Sequence, residues 1–361
     1  MDDRQVYAED VQRGQSEPAS IQERAGAALE AGDWRSAEDL LRQALLDDPS
    51  WAEGHAELGP CLARQGHLAE GKCHLLCALR AAPDNVDAHH DLGLVYEQLG
   101  QYENALSCYK QVVLTRASDY EAFTRMAACA EQLGRARDAA VLYAQAVQLQ
   151  PDALEPALAL AKSYLAEGDL PGASKVIRAS LVHHPAEPLL NYSLGLVLEM
   201  QGCYRDALTA FRAVVRADEQ HEEALFHLGL CARSAGFGRE AEAFFARAIS
   251  LNPEYLEAIY QLGQLYRESG QLGKAVLTFG ECLRRMDDRE ERQRDWNQEV
   301  DAAQRVPVLN ALGLCHLTAG DLKRARSAWE ESLALDPGQE EVQSWLSEVR
   351  PLYRRTTLTI D

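Results

Sequence analysis

Nine of the 24 glycines fall on one ruler: Gly32, Gly66, Gly100, Gly134, Gly168, Gly202, Gly236, Gly270 and Gly320. Every interval is 34 residues except the last, which is 50, so a single insertion of 16 separates the eighth and ninth members. A period of this length means small supersecondary units that must stack on their neighbours to bury an apolar face. With the glycine set as position 15, the other columns align. Position 20 is Ala37, Gly71, Ala105, Ala139, Ala173, Ala207, Ala241, Ala275 and Ala325, small enough for two helices nearly to touch. From the second unit on, position 7 is Leu58, Leu92, Met126, Leu160, Leu194, Leu228, Leu262 and Leu312, beside Gly or Ala at position 8. Position 24 is bulky, from Leu41 and Leu75 through Tyr109, Tyr143, Ile177, Phe211, Phe245 and Phe279 to Trp329, and is expected to fill the gap between neighbouring units.

Apolar residues at positions 4, 7, 8 and 11, then 17, 20, 24 and 27, follow the spacing of two successive amphipathic helices. The glycine between them stops the first helix in a left-handed conformation. Pro49, Pro83, Pro151, Pro185, Pro253 and Pro337 mark the end of the second. Each unit is a helical hairpin.

These columns resemble the tetratricopeptide repeat (TPR) over residues 18–289, as eight units, and 306–339, as a ninth. The resemblance implies an all-α fold, a right-handed α-solenoid of nine helix-turn-helix units. The amphipathic stretch Gln339–Val349 then reads as a capping helix, and residues 340–361 as that helix and a short C-terminal tail. Residues 1–17 are polar and are expected to be a disordered tail. The charged insertion, 290–305, has no Gly or Pro and is expected to lengthen the helices flanking unit eight, roughly 24 Å of helix. Trp296 within it is either a packing anchor or an exposed contact. Arg354-Arg355-Thr356-Thr357-Leu358-Thr359 resembles a basophilic kinase site, a match short enough to arise by chance.

Chemistry is sparse. Cys73-His74-x-x-Cys77 lacks a fourth ligand and spreads its three around a helix, so no metal is expected. Cys61, Cys129, Cys231 and Cys315 share position 10 and read as small packing residues. His89-His90 and His183-His184 read as surface histidines. No glycine-rich phosphate loop or catalytic constellation is present, so no enzyme activity and no cofactor are expected. The formal charge of −20, from 36 basic and 56 acidic residues, repels phosphate and argues against a nucleic-acid partner. No run approaches the roughly 18 apolar residues of a membrane span. The start, Met1-Asp2-Asp3-Arg4-Gln5, lacks the basic and apolar run of a signal peptide, so the expected location is cytoplasmic, and the odd nine cysteines are expected to be reduced.

The resemblance implies a groove lined by the first helix of each unit, with positions 2, 5, 9 and 12 facing it. Units six to eight carry Tyr192, Phe226 and Tyr260 at position 5. Leu196, Leu230 and Gln264 stand at position 9, and Arg233 and Arg267 at position 12. Aromatic and arginine side chains suit a protein or peptide partner, although aromatics at position 5 also suit plain packing between first helices. Position 2 is acidic in six of units two to eight, Glu223 and Glu257 among them. That column favours a partner with basic segments, and equally favours the helix dipole. Neither the carboxylate clamp of the family's co-chaperones nor the asparagine ladder of its sugar transferases is present. The expected function is a scaffold or adaptor binding protein segments in this groove; the alternative is a regulatory or targeting subunit of a larger enzyme or secretion machine.

Overall fold

The computed structural model describes residues 20–293 and 302–357. Within them lie nineteen α-helices and no strand. The hairpins are α1 (Ile21–Glu30) with α2 (Trp34–Asp47), α3 (Ala52–Arg64) with α4 (Leu68–Ala81), α5 (Val86–Gln98) with α6 (Tyr102–Thr115), α7 (Tyr120–Gln132) with α8 (Ala136–Leu149), and α9 (Leu154–Ala166) with α10 (Leu170–His183). They continue with α11 (Pro188–Met200) and α12 (Tyr204–Ala217), α13 (Glu222–Ser234) and α14 (Gly238–Leu251), α15 (Leu256–Glu268) and α16 (Leu272–Gln293), then α17 (Ala302–Thr318) and α18 (Leu322–Leu335). The last helix, α19, spans Glu340–Thr357. Residues 1–17, Trp296 and Thr359 lie outside the described residues. Helices α16 and α17 run 22 and 17 residues against 14 and 13 for their counterparts α14 and α15.

The turn inside each hairpin has a local cause. Among the described residues, the nine period glycines are the residues with positive φ, from 69° at Gly100 to 87° at Gly66. At the first, Gly32 N donates to Leu29 O (3.1 Å) and Asp33 N to Ala28 O (3.0 Å), which satisfies the last carbonyls of α1. Asp33 then caps α2 by accepting from Ser36 N at 3.2 Å, replacing a missing helix partner. Helices α2, α4, α8, α10, α14 and α18 each end two residues before the marking proline.

Packing within a hairpin follows the small columns. A methyl group at Gly229 would stand 2.5 Å from Phe245 Cε1, at Gly195 2.6 Å from Phe211 Cε1, and at Gly313 2.2 Å from Trp329 Nε1. The position-24 ring therefore fills the hole at position 8 of its own hairpin, and not only the space toward the next unit as the periodicity alone suggests. At position 20, a Cβ on Gly71 would lie 2.6 Å from Gly59 O, so the two helices meet backbone to backbone. Cys61, Cys129, Cys231 and Cys315 are all buried, as their shared position implies.

By its contacts the chain divides into two compact bodies, one up to His183 and the other from His184. The first holds repeats 1–5, the second repeats 6–9 and α19. In the second body each second helix packs on the first helix that follows it, and α11, α13, α15 and α17 also touch one another in order. Those four helices make one shared surface. At its end α19 lays Val342, Leu346 and Val349 on Trp329 and Ala325, with Trp345 and Trp329 rings 5.4 Å apart. An apolar face that would otherwise meet water is thereby covered.

Candidate functional site

Helices α11, α13 and α15 place the expected groove residues on their shared surface. Tyr192, Leu196, Phe226, Leu230, Arg233, Tyr260, Gln264 and Arg267 are half-buried, and Glu223 and Glu257 are exposed. The three aromatics share a seat. Each lies against the buried position-24 ring of its own hairpin: Tyr192 against Phe211 at 5.7 Å, Phe226 against Phe245 at 6.1 Å, Tyr260 against Phe279 at 5.9 Å. Packing and exposure coexist in the same side chains: a fixed ring with part of its surface still wet loses little freedom when a partner covers it.

Polar contacts join these rings across repeats. Tyr192 Oη donates to Glu223 Oε2 at 3.5 Å. Burial first, then the Glu223 carboxylate, push the Tyr192 phenol up to about 12, so it stays a donor at neutral pH. Gln264 Nε2 donates to Tyr260 Oη at 2.6 Å, and Arg267 Nε to Gln264 Oε1 at 2.8 Å. Arg233 Nη1 donates to Gln261 Oε1 at 2.5 Å. Both guanidiniums are thus held by neutral amides, which leaves their charge available to an acidic or carbonyl-rich partner. Leu196 and Leu230 lie between the aromatic and arginine columns in the sequence register. The acidic residues Glu53, Asp87, Glu121, Glu155, Glu223 and Glu257 all occupy the first turn of their helices, where the dipole favours them by about 0.3–1 kcal/mol.

Five more side chains belong to this cluster. His221 stacks on Tyr192 at 5.3 Å, and Tyr255 lies 5.0 Å from Phe226. His227 stacks on Phe211 at 5.2 Å and holds Glu199 Oε2 at 2.8 Å through Nδ1. Gln261 holds Arg233. His227 and Gln261 stand at position 6 and Glu199 at position 12, so their signal was a pairing 28 residues apart and not a repeated residue type.

The other histidines and cysteines have settled surroundings. His74 Nδ1 lies 2.8 Å from His55 Nδ1, while Cys73 is exposed and Cys77 half-buried. His90 differs from the surface reading: it is half-buried, edge-on to Tyr109 at 5.9 Å and 3.7 Å from Asp91. Among the described residues no three His, Cys, Asp or Glu side chains converge as metal ligands, and no helix is long and apolar enough to cross a membrane.

Models of one family, the tetratricopeptide repeat, match residues 23–71, 86–119, 130–192, 201–255, 244–276 and 306–339, well over half of the chain. A protein O-mannosyl-transferase of Caenorhabditis elegans is 29% identical over 75 residues, covering 21% of this chain and 11% of that protein. The general transcriptional corepressor trfA of Dictyostelium discoideum is 27% identical over 135 residues, 37% of this chain and 10% of that protein. The chain thus spans about a tenth of the length of these curated relatives. The C-terminal part of a TPR repeat-containing protein from Cytophaga hutchinsonii superposes with a TM-score of 0.56 at 13% identity, covering 70% of this chain and 97% of that one. That likeness is one of fold.

Proposed function

Because the chain belongs to the tetratricopeptide repeat family, whose members mediate protein–protein interactions, we propose that it is a scaffold or adaptor that binds a protein or peptide segment on α11, α13 and α15. The observation that carries this reading is the aromatic row itself. Tyr192, Phe226 and Tyr260 are half-buried on fixed rings, and among the described residues the guanidiniums of Arg233 and Arg267 are bound to neutral amides. Rigid aromatics beside arginine are the residue types that dominate binding energy at interfaces. The reading assigns no catalytic role, no cofactor and no nucleic-acid partner, and places the protein in the cytoplasm.

Replacement of Tyr192 and Phe226 by alanine tests it. Each truncation at a hot spot costs about 2 kcal/mol or more, so a partner recovered on the wild-type chain should be lost from the double variant while its helical circular dichroism is retained. Undiminished recovery would sink the groove assignment. A second reading, a regulatory or targeting subunit of a larger enzyme or assembly machine, draws on the two curated relatives, in which the matched stretch is about a tenth of a long protein. A stoichiometric enzyme that copurifies with the chain would favour it, and a lone monomer by light scattering would count against it.

A further inference from the structure

Seven arginines are half-buried among the described residues. Five of them hold a carboxylate: Arg42 lies 2.6 Å from Glu70, Arg125 3.5 Å from Glu97, Arg285 2.7 Å from Glu281, Arg305 2.6 Å from Asp287 and Arg326 2.8 Å from Glu330. The two that do not are Arg233 and Arg267, at position 12 of consecutive repeats. A guanidinium drawn partly out of water is costly without an opposite charge. Carboxylates are not scarce in a chain with 56 acidic against 36 basic residues, so the two gaps are a local property of α13 and α15.

The rest of that surface supplies no counter-charge among the described residues. Arg233 gives an N–H from Nη1 to Gln261, and Arg267 gives its Nε–H to Gln264, out of the five N–H donors that a guanidinium carries. Glu199, the acidic residue at position 12 of the repeat before, is engaged by His227 at 2.8 Å. Glu223 and Glu257 stand ten residues upstream on the same two helices, roughly 15 Å along the axis, and Glu223 accepts from Tyr192. One end of the surface is therefore cationic and the other anionic. Apolar surface lies between them: Phe226 and Leu230 share one face of α13 with Arg233, at i, i+4 and i+7.

We propose that the protein segment bound on α11, α13 and α15 presents aspartate or glutamate side chains to Arg233 and Arg267, beside an apolar side chain seated on Phe226 and Leu230. This rests on the groove assignment above, and adds to it the sign of the charge and the edge at which that charge is read. Each carboxylate completes the pairing that the other half-buried arginines find within the chain. Charge-assisted contacts to a planar guanidinium are short and directional. Because only one edge is cationic, they also decide which side of the segment faces that edge.

The test uses the full chain and a short dye-labelled peptide that repeats glutamate, leucine and glycine, with its glutamine analogue, read by fluorescence polarisation. Both peptides are capped at both ends, so that no terminal carboxylate contributes. Salt near physiological strength, with a screening length of about 8 Å, hides the chain's net charge but not a direct contact. The glutamate peptide should bind, and the glutamine analogue about tenfold more weakly. Arg233→Gln and Arg267→Gln should each narrow that difference, and the double variant should abolish it. Gln261→Glu, which keeps side-chain shape and gives Arg233 a carboxylate from within, should also weaken the glutamate peptide, with helical circular dichroism retained in every variant. Absence of binding by both peptides, equal binding of the two by the wild type, or an undiminished glutamate preference in the double arginine variant would each overturn the proposal. The groove reading stands apart from these outcomes if Tyr192→Ala with Phe226→Ala lowers the affinity for both peptides, and falls if that variant binds both as the wild type does.

Discussion

Gly263 and Gly280 belong to one hairpin and ask opposite things of a methyl group. A Cβ at Gly263 in α15 would lie 2.6 Å from Phe279 Cε1 and 2.9 Å from its Cζ, whereas a Cβ at Gly280 in α16 meets nothing within 4 Å. In an exposed helix interior, alanine is favoured over glycine by about 0.8–1 kcal/mol. Gly280→Ala should therefore stabilise the chain by up to about that amount. At Gly263 the same gain is overrun by overpacking, because Phe279 is fully buried and has nowhere to go; a net loss of about 1–3 kcal/mol is expected. Urea unfolding followed by circular dichroism, compared at equal slope, reads both. Shifts of the same sign would contradict the pairing of a position-8 hole with a position-24 ring.

At the scale of one hairpin, α3 and α4 are joined by His55 and His74. Burial first, and the His55 charge second, push the His74 imidazole down from its ordinary 6.5. Between the two values the unfolded chain binds more protons than the folded one, so this contribution to stability is present above the unfolded value and lost as pH falls through the depressed one. His316, buried in α17, is pushed down likewise, while Asp91 pushes His90 up against the opposing effect of its burial; His90 stabilises below its ordinary value and loses that as pH rises through the raised one. His74→Gln should thus flatten the fall in stability as pH drops below the ordinary imidazole value of about 6.5, and an unchanged slope in thermal melts there would show that His74 does not titrate against the fold. The histidine contact also marks where the sequence stops being legible. The hairpins, their glycine turns and their small columns were readable because nine copies sample one geometry. The pairs His55 with His74 and Glu199 with His227 occur once each, and a period averages single occurrences away. Position 24 is legible only in part for a related reason: the column shows a bulky residue that packs toward the next unit, as Tyr109 does with Cys129, but that its ring also enters the hole of its own hairpin depends on side-chain direction, which spacing does not encode.

Across the whole molecule, stability rests on neighbours. Within each body every hairpin packs on the ones adjacent to it in sequence, and the substantial contacts among the described residues join helices one or two apart along the chain. For such an array, stability is approximately a sum of repeat and neighbour terms, and a repeat is removable in register. Deleting residues 119–152, which carry α7 and α8 and comprise one period, joins Ser118 to Ala153 and brings α6 onto α9. The new contact keeps the columns: Tyr109 still fills its own Gly93 hole, and α9 still presents Leu160 and Ala161 at positions 7 and 8. The shortened chain should keep its mean helicity per residue and a cooperative melt, with the aromatic row on α11, α13 and α15 intact. Partner recovery then separates architecture from function, because that row draws no residue from the deleted repeat. Wholesale loss of helicity would mean that the repeats are bound by long-range terms that their sequence-local packing does not contain.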